Sequence, residues 1–346
     1  MITGLNKLIE KAIAENTFPG ANYSLIANGK KYFESFGNKA LIPEVEKNDI
    51  NTLYDMASLT KVIVTTTAVM ILLEQGKIRL SDSVKLYVPK FRHSQITIWD
   101  LMTHTSGLPS DVPGSLYRQD GGLEKYLLAP EVIYPKNTKI LYSDMGYLLL
   151  GFVIESVSGM KLNEFAEKYI FEPLEMKDSG YNPKDTNRCA STEVYGEVIT
   201  RGYVHDEKAY ALDGVAGHAG LFSTVTDVSN FMEMILNDGV YKGKQILSKK
   251  SIDLLFTPQV EEYTGISLVP YRRGLGWIIQ GANSVAGDYA SKNTIMHTGF
   301  TGTHMYIDRD NKIAFCLLSN RVHPTRDNNL IIPFRARLGN YILNHF

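Results

Sequence analysis

The sequence predicts an α+β fold in which one antiparallel sheet is built from both ends of the chain, with a mainly helical lobe inserted between. Three observations point to it. Strand patterns gather near the start, over Gly20–Ala27 and Lys31–Gly37, and return from Leu275 onward. The intervening chain has helical spacing and long connections. Amphipathic helices lie at both ends, so residues 1–80 and 266–346 read as a sheet-and-helix lobe and 81–265 as the insert.

Leu5, Leu8, Ile9, Ala12 and Ile13 recur at helical spacing opposite Asn6, Lys7, Glu10 and Lys11, which predicts a surface helix. Asn28-Gly29 is a two-residue hairpin signal between the first two strands. A helix follows, from about Ser58 through the apolar run Val62–Leu73, with Gly76 as its stop. Within the insert, Thr97–Met102 reads as a short helix ending in the loop His104–Pro109, and Tyr147–Val157 as a buried helix. Thr226-Asp227 can cap the helix carrying Phe231, Met232, Ile235 and Leu236. Leu275–Ile279, Thr294–His297, Thr303–Ile307 and Lys312–Leu318 predict a meander with its last turn at Asp310-Asn311, and Leu330–Ile342 a closing helix. A cleft between the lobes is the expected site.

Composition narrows the function. A net charge of -1 gives no basic face for nucleic acid or an anionic membrane. Nowhere do eighteen apolar residues run together, so no membrane span is expected. The first helix is amphipathic rather than continuously apolar and does not read as a signal peptide, so the expected location is cytoplasmic. A chain trimmed of a leader would look the same. Cys189 and Cys316 are far apart; Cys316 sits in an apolar strand and reads as a buried free thiol.

The chemistry concentrates on Ala57-Ser58-Leu59-Thr60-Lys61. At a helix start, Ser58 and Lys61 share one face one turn apart, so a lysine whose pKa is lowered by burial could take the serine proton. Ser158-Gly159-Met160-Lys161 has the same spacing but reads as a helix tail. Two further features stand downstream, Tyr142-Ser143-Asp144 before a buried helix and His297-Thr298-Gly299 at a strand end. Tyr306-Ile307-Asp308 shows that either pattern alone is common.

The ordered trio resembles the penicillin-recognising serine hydrolases. Tyrosine in the second element resembles the branch of class C β-lactamases, DD-peptidases and esterases, as do Leu101–Leu108 and Gly217–Thr224. The resemblance implies a β-lactamase/transpeptidase-like fold and an acyl-enzyme mechanism needing no cofactor or metal. Ser58 matches the nucleophile, Lys61 the lysine that keeps it activated, and Tyr142 the proton shuttle. The N–H groups of Ser58 and Phe300 match the oxyanion hole, while Asp144, His297, Thr298 and Gly299 line the substrate site. Gly299 is expected to let substrate lie against the strand edge.

Two residues depart from the pattern. Asp144 replaces the usual asparagine, and a carboxylate there favours a protonated Lys61 or repels an anionic substrate. His297 replaces the lysine usual in β-lactamases, and a neutral imidazole binds a carboxylate less strongly than a permanent cation. Both favour a peptidase, amidase or esterase acting on cell-wall peptides or small esters. A class C-type β-lactamase and a penicillin-binding sensor without turnover are the alternatives. The implied partners are a small-molecule or peptide substrate and, as acylating agents, β-lactams. His104 and Ser106 read as a turn rather than a second triad. His205, Asp206 and His218 are weak metal candidates. Trp99 and Trp277 read as core.

Overall fold

The computed structural model describes residues 1–116, 119, 121–265 and 267–346. Ile266, where the second sheet segment is expected to begin, lies outside the described residues. Nine strands form the main sheet in the order Val260–Glu262, Tyr271–Arg273, Ile278–Ile279, Thr294–Thr298, His304–Asp308, Ile313–Ser319, Gly20–Ala27, Lys30–Ala40, Glu46–Lys47. Every adjacent pair is antiparallel. The two ends of the chain meet at its centre, where Ala21 faces Ser319 and Ile26 faces Ala314.

The central strands are buried along their whole length, and their side chains divide between two cores with period two. Tyr23, Leu25, Phe315 and Leu317 pack with Leu5, Ile9, Leu338 and Ile342 of the helices Ile2–Ala14 and Ile331–His345. Ala314, Cys316 and Leu318 turn into the second core with Val62, Val69 and the helix Val225–Leu236. A sheet covered on both faces explains why Ile313–Leu318 reads as a continuous apolar run. At Asn28-Gly29 both residues have positive φ, 53° and 69°, as a tight two-residue hairpin turn needs.

The structure differs from expectation at several local points. Of Leu275–Ile279 only Ile278–Ile279 is strand. Gly276 turns out of line at φ 81° and donates its N–H to Met102 O at 2.9 Å. A Cβ there would lie 2.2 Å from Thr66 Oγ1. The short polar strands Val260–Glu262 and Tyr271–Arg273 carry no alternating apolar pattern to reveal them. Thr224, not Thr226 or Asp227, caps its helix through a 3.3 Å bond from Asp227 N–H, while the Asp227 carboxylate holds Asp178 N–H and Ser179 Oγ.

No single helix among the described residues is long and apolar enough to cross a membrane. The helix Asp144–Ser158 is instead buried against the Ser58 helix, and Gly159 ends it in the left-handed conformation, so Ser158–Lys161 is a helix tail. Trp277 is fully buried. Both cysteines are buried and free.

The loop Gly217–Gly220 seats on the helix Asp144–Ser158 because Gly217 lacks a Cβ, which would fall 2.1 Å from Tyr147 O. Both sides of that contact are main chain, so relief requires backbone movement. Gly217→Ala is expected to cost about 1–3 kcal/mol, seen as a lower urea midpoint with an unchanged slope.

Candidate active site

Ser58 begins the turn that leads into a helix running to Glu74. Just before it, Ala57 sits in the left-handed region at φ 45°, a strained conformation for a residue with a Cβ. The buried Asp55 carboxylate holds it there, accepting from Ala57 N–H at 2.8 Å and from His205 N–H at 2.7 Å. Lys61–Thr66 is wound as a π-helix rather than the expected α-helix. Such widened turns recur at functional sites.

Lys61 is fully buried with three acceptors around its ammonium. It donates to Ser58 Oγ at 2.9 Å and His218 O at 3.0 Å, and pairs with Asp144 Oδ1 at 2.7 Å. Burial pulls its pKa down, but the Asp144 carboxylate and the Tyr142 phenol more than reverse this, leaving it above the ordinary lysine value. The condition for Lys61 as a neutral base, a lowered pKa, is therefore not met in this arrangement. Burial works against the Asp144 charge too, and Lys61, His218 and Lys208 hold it ionised, with its pKa below the usual value. Asp144 opens the next helix but does not cap it; Ser143 Oγ does, accepting from Gly146 N–H at 3.3 Å.

Tyr142 is clamped on both sides by His104. Leu141 N–H donates to His104 O at 2.8 Å and Ser143 N–H to His104 Nδ1 at 3.1 Å. The imidazole lies 4.7 Å from the Tyr142 ring and 5.2 Å from that of Tyr147. Ser106 Oγ accepts from Leu108 N–H within the same turn, so the pair builds a loop and no second triad. Two cations flank the phenol. Lys61 Nζ is 4.9 Å and Arg273 Cζ 5.5 Å from its ring centroid.

His297-Thr298-Gly299 ends its strand against the Ser58 segment. Thr301 Oγ1 donates to Asp55 O at 2.7 Å and Thr303 Oγ1 to Met56 O at 3.0 Å. A Cβ on Gly299 would lie 2.0 Å from Thr303 Oγ1 and 2.7 Å from Met56 O. Glycine is thus required there for close approach of the two segments, not only for access by substrate. The N–H groups of Ser58 and Phe300 have no hydrogen-bond acceptor among the described residues, as an anion site requires. Phe300 itself is 48% exposed and stacks on His205 at 5.6 Å. Ser58, Tyr142, His297, Thr298, Gly299 and Phe300 line one cleft of about 390 Å³.

His297 is 2% exposed and gives a hydrogen to Thr298 O from Nδ1 at 2.9 Å. Its Nε2 therefore presents a lone pair, with no donor facing it among the described residues. Burial, Arg273 and Lys61 hold its pKa well below the usual histidine value, and burial with the same two cations does so for His104.

The metal candidates separate. His205 is bound to Glu193 at 2.8 Å. Asp206 and His218 are joined by a 2.7 Å contact and lie beside Asp144, the three ligand atoms falling within 4.8 Å of one another. The cationic partners there are lysines. Lys208, 6% exposed, contacts Asp206 at 3.1 Å, Asp144 at 3.3 Å and Asp111 at 2.9 Å. Sequence reading missed Lys208, Arg273 and the clamping role of His104. The first two have no motif around them, whereas His104 lies in Leu101–Leu108, whose left-handed turn, φ 60°, only the fold reveals.

Asp144→Asn removes a carboxylate from two buried ammonium groups and should cost about 3 kcal/mol, read by urea unfolding. Because His297 and His104 stay neutral, kcat/KM should show no break near pH ~6.5 that His297→Gln abolishes. Such a break in the wild type, lost in the variant, would contradict the site described.

Comparison with known proteins places this geometry. The Beta-lactamase family pattern matches residues 5–339. N-acetylmuramyl-L-alanine amidase of Bacillus subtilis (strain 168) is 32% identical over 364 aligned positions, spanning 92% of this chain and 80% of that protein. The "Putative D-alanyl-D-alanine carboxypeptidase" of Escherichia coli (strain K12) is 33% identical, over 88% of this chain and 79% of its own length. A solved class C β-lactamase superposes with TM-score 0.79 at 21% identity, over 99% of this chain and 95% of its own, which shows a shared fold. The chain belongs to the β-lactamase family, and its fold is the mixed α and β architecture of that family.

Proposed function

We propose that this β-lactamase-family hydrolase works through an acyl-enzyme on Ser58 and opens an amide in a peptidoglycan-derived substrate. The observation that carries the reading is the Lys61 ammonium, 2.9 Å from Ser58 Oγ and ion-paired to Asp144. A charged lysine donates to Oγ, leaving the serine proton to go elsewhere, and Tyr142, which lines the same cleft, takes it. Lys61 and Arg273 lie against its ring. Oγ then attacks the carbonyl carbon, and the N–H groups of Ser58 and Phe300 receive the developing oxyanion. Tyr142 returns the proton to the leaving nitrogen as the C–N bond breaks, and later activates the water that releases the acyl group.

The amide reading draws on the two relatives, whose names specify N-acetylmuramyl-L-alanine and D-alanyl-D-alanine. It also draws on the neutral His297, where a permanent cation would suit a β-lactamase.

The test is intact-mass spectrometry after incubation with benzylpenicillin, p-nitrophenyl acetate and N-acetylmuramyl-L-alanine, with Ser58→Ala as control. Adducts on Ser58, release of L-alanine, and loss of both in Ser58→Ala are expected. Tyr142→Phe should slow acylation by about 10²–10⁴-fold. Ester hydrolysis without amide cleavage would make the protein an esterase, and a stable penicillin adduct without turnover of any reagent a sensor. Acylation undiminished in Ser58→Ala would refute the mechanism.

A further inference from the structure

A second hollow adjoins the Ser58 cleft at Phe300. Phe300 N–H is one of the two that receive the oxyanion in the mechanism proposed above, so the scissile carbonyl lies at its main chain. The Phe300 ring leads away from that point and stacks on the His205 imidazole at 5.6 Å. His205 in turn lines a hollow of about 590 Å³ together with Tyr195, Tyr203, Glu207 and Tyr210, a size usual for a small-molecule site. Arg326 bridges the two. Its guanidinium carbon lies 5.8 Å from the ring of Phe300 and 5.5 Å from that of Tyr195, each of them 48% exposed. Neither Ser58 nor Tyr142 lines this hollow, and no step of the mechanism uses it.

Hydrogen bonds hold the walls in place. Glu193, 6% exposed, accepts from Tyr195 Oη and Arg326 Nε and meets His205 Nε2 at 2.8 Å. Arg326 Nη2 then donates to Glu207 at 2.9 Å. One buried carboxylate thus fixes Tyr195, His205 and, through Arg326, Glu207. The other rings come from the one-turn helix Glu207–Tyr210 and the loop before it. That helix turns Lys208 in toward Asp144 and Tyr210 out to 62% exposure. The rings of Tyr203 and Tyr210 are 5.8 Å apart at 56° and make an open corner. Tyrosine suits a surface that is apolar at one end and wet at the other, and a cluster of exposed aromatic side chains marks an interaction site.

The chemistry of the walls selects the occupant. A pyranose ring presents C–H bonds on its faces and hydroxyls around its edge, which matches the flat rings of Tyr203 and Tyr210 with the Glu207 carboxylate beside them. A hydrocarbon chain would take Glu207 out of water and give it no hydrogen bond in return. Orientation narrows the choice. Tyr142 returns the proton to the leaving nitrogen, so the leaving group stays with Tyr142, and the acyl side of the substrate is what reaches past Phe300. We propose that this hollow is a saccharide subsite, in which an amino sugar on the acyl side of the substrate packs against Tyr203 and Tyr210 and gives hydroxyl hydrogens to Glu207. The orientation rests on the acyl-enzyme mechanism proposed above. Two amides with the same leaving group are then told apart by what the acyl group carries.

The test compares N-acetylmuramyl-L-alanine with 2-methoxypropanoyl-L-alanine, which keeps the amide and replaces the sugar by a methyl group. In Ser58→Ala protein the sugar compound is expected to bind about tenfold more tightly, as a good aromatic contact gives. Adding Tyr210→Ala should erase most of the difference, whereas Tyr210→Phe should keep it. Tyr210 is exposed, so neither change should move the melting temperature. With Ser58 intact, Tyr210→Ala should raise KM for the sugar compound and leave turnover of p-nitrophenyl acetate unchanged. Equal binding of the two compounds, binding of neither, or a preference that survives Tyr210→Ala would overturn the proposal. So would a Tyr210-dependent preference for p-nitrophenyl hexanoate over the acetate with none for the sugar, which would assign the hollow to a hydrocarbon chain. A preference for the sugar that depends on Tyr210, without acylation of Ser58 by any reagent, would sustain the subsite and remove the acyl-enzyme mechanism. Cleavage of both amides through Ser58 with equal kcat/KM would do the reverse.

Discussion

The buried ammonium of Lys61 is the constraint on which the rest of the site depends. A cation that deep is tolerable only if each of its protons meets an acceptor. Three separate stretches of chain deliver them: the Ser58 turn, the main chain at His218 and the start of the helix at Asp144. Each delivery has its own supports. Asp55 holds the Ala57 turn, Gly217 lets its loop sit against Tyr147, and Ser143 caps the helix that carries Asp144. A single charge thus ties three distant stretches of chain together, and Ser58 Oγ takes its orientation from the same bonds.

The electrostatics follow from this arrangement. Asp144 neutralises Lys61 and shares Lys208, while Asp206 and Asp111 complete the charge balance around the second lysine. Arg273, Arg321 and Arg335 line the cleft with Ser58. Burial and the nearby cations Lys61 and Arg273 keep the imidazoles of His297 and His104 neutral.

Much of this was legible in the sequence wherever the signal is local. The hairpin at Asn28-Gly29, the apolar strands at the sheet centre and the closing helix all declare themselves through turn chemistry or periodicity. Ser58, Lys61, Tyr142 and His297 were readable because each sits in a short pattern with a mechanical reason. The strand Tyr271–Arg273 was not, since three polar residues near a sheet edge carry no periodic signal. Arg273 and Lys208 were invisible for a related reason: their importance lies in what they face, and pairing and packing across distant segments decide that. The helix cap at Thr224 was missed by two residues, because several adjacent side chains could serve and tertiary contacts chose among them.

The pairing of Ala21 with Ser319 also governs when the site can come into being. The strand Gly20–Ala27 is made long before one of its two neighbours in the sheet, Ile313–Ser319. Contacts so distant in sequence form slowly, because the chain must close a very long loop before they reward it. Until then the apolar face of the first hairpin lacks its cover, a situation that invites chaperone binding or aggregation. The turn after His297, which braces the serine through Thr301 and Thr303, is likewise late. Ser58 therefore leaves the ribosome well before the wall that completes its cleft.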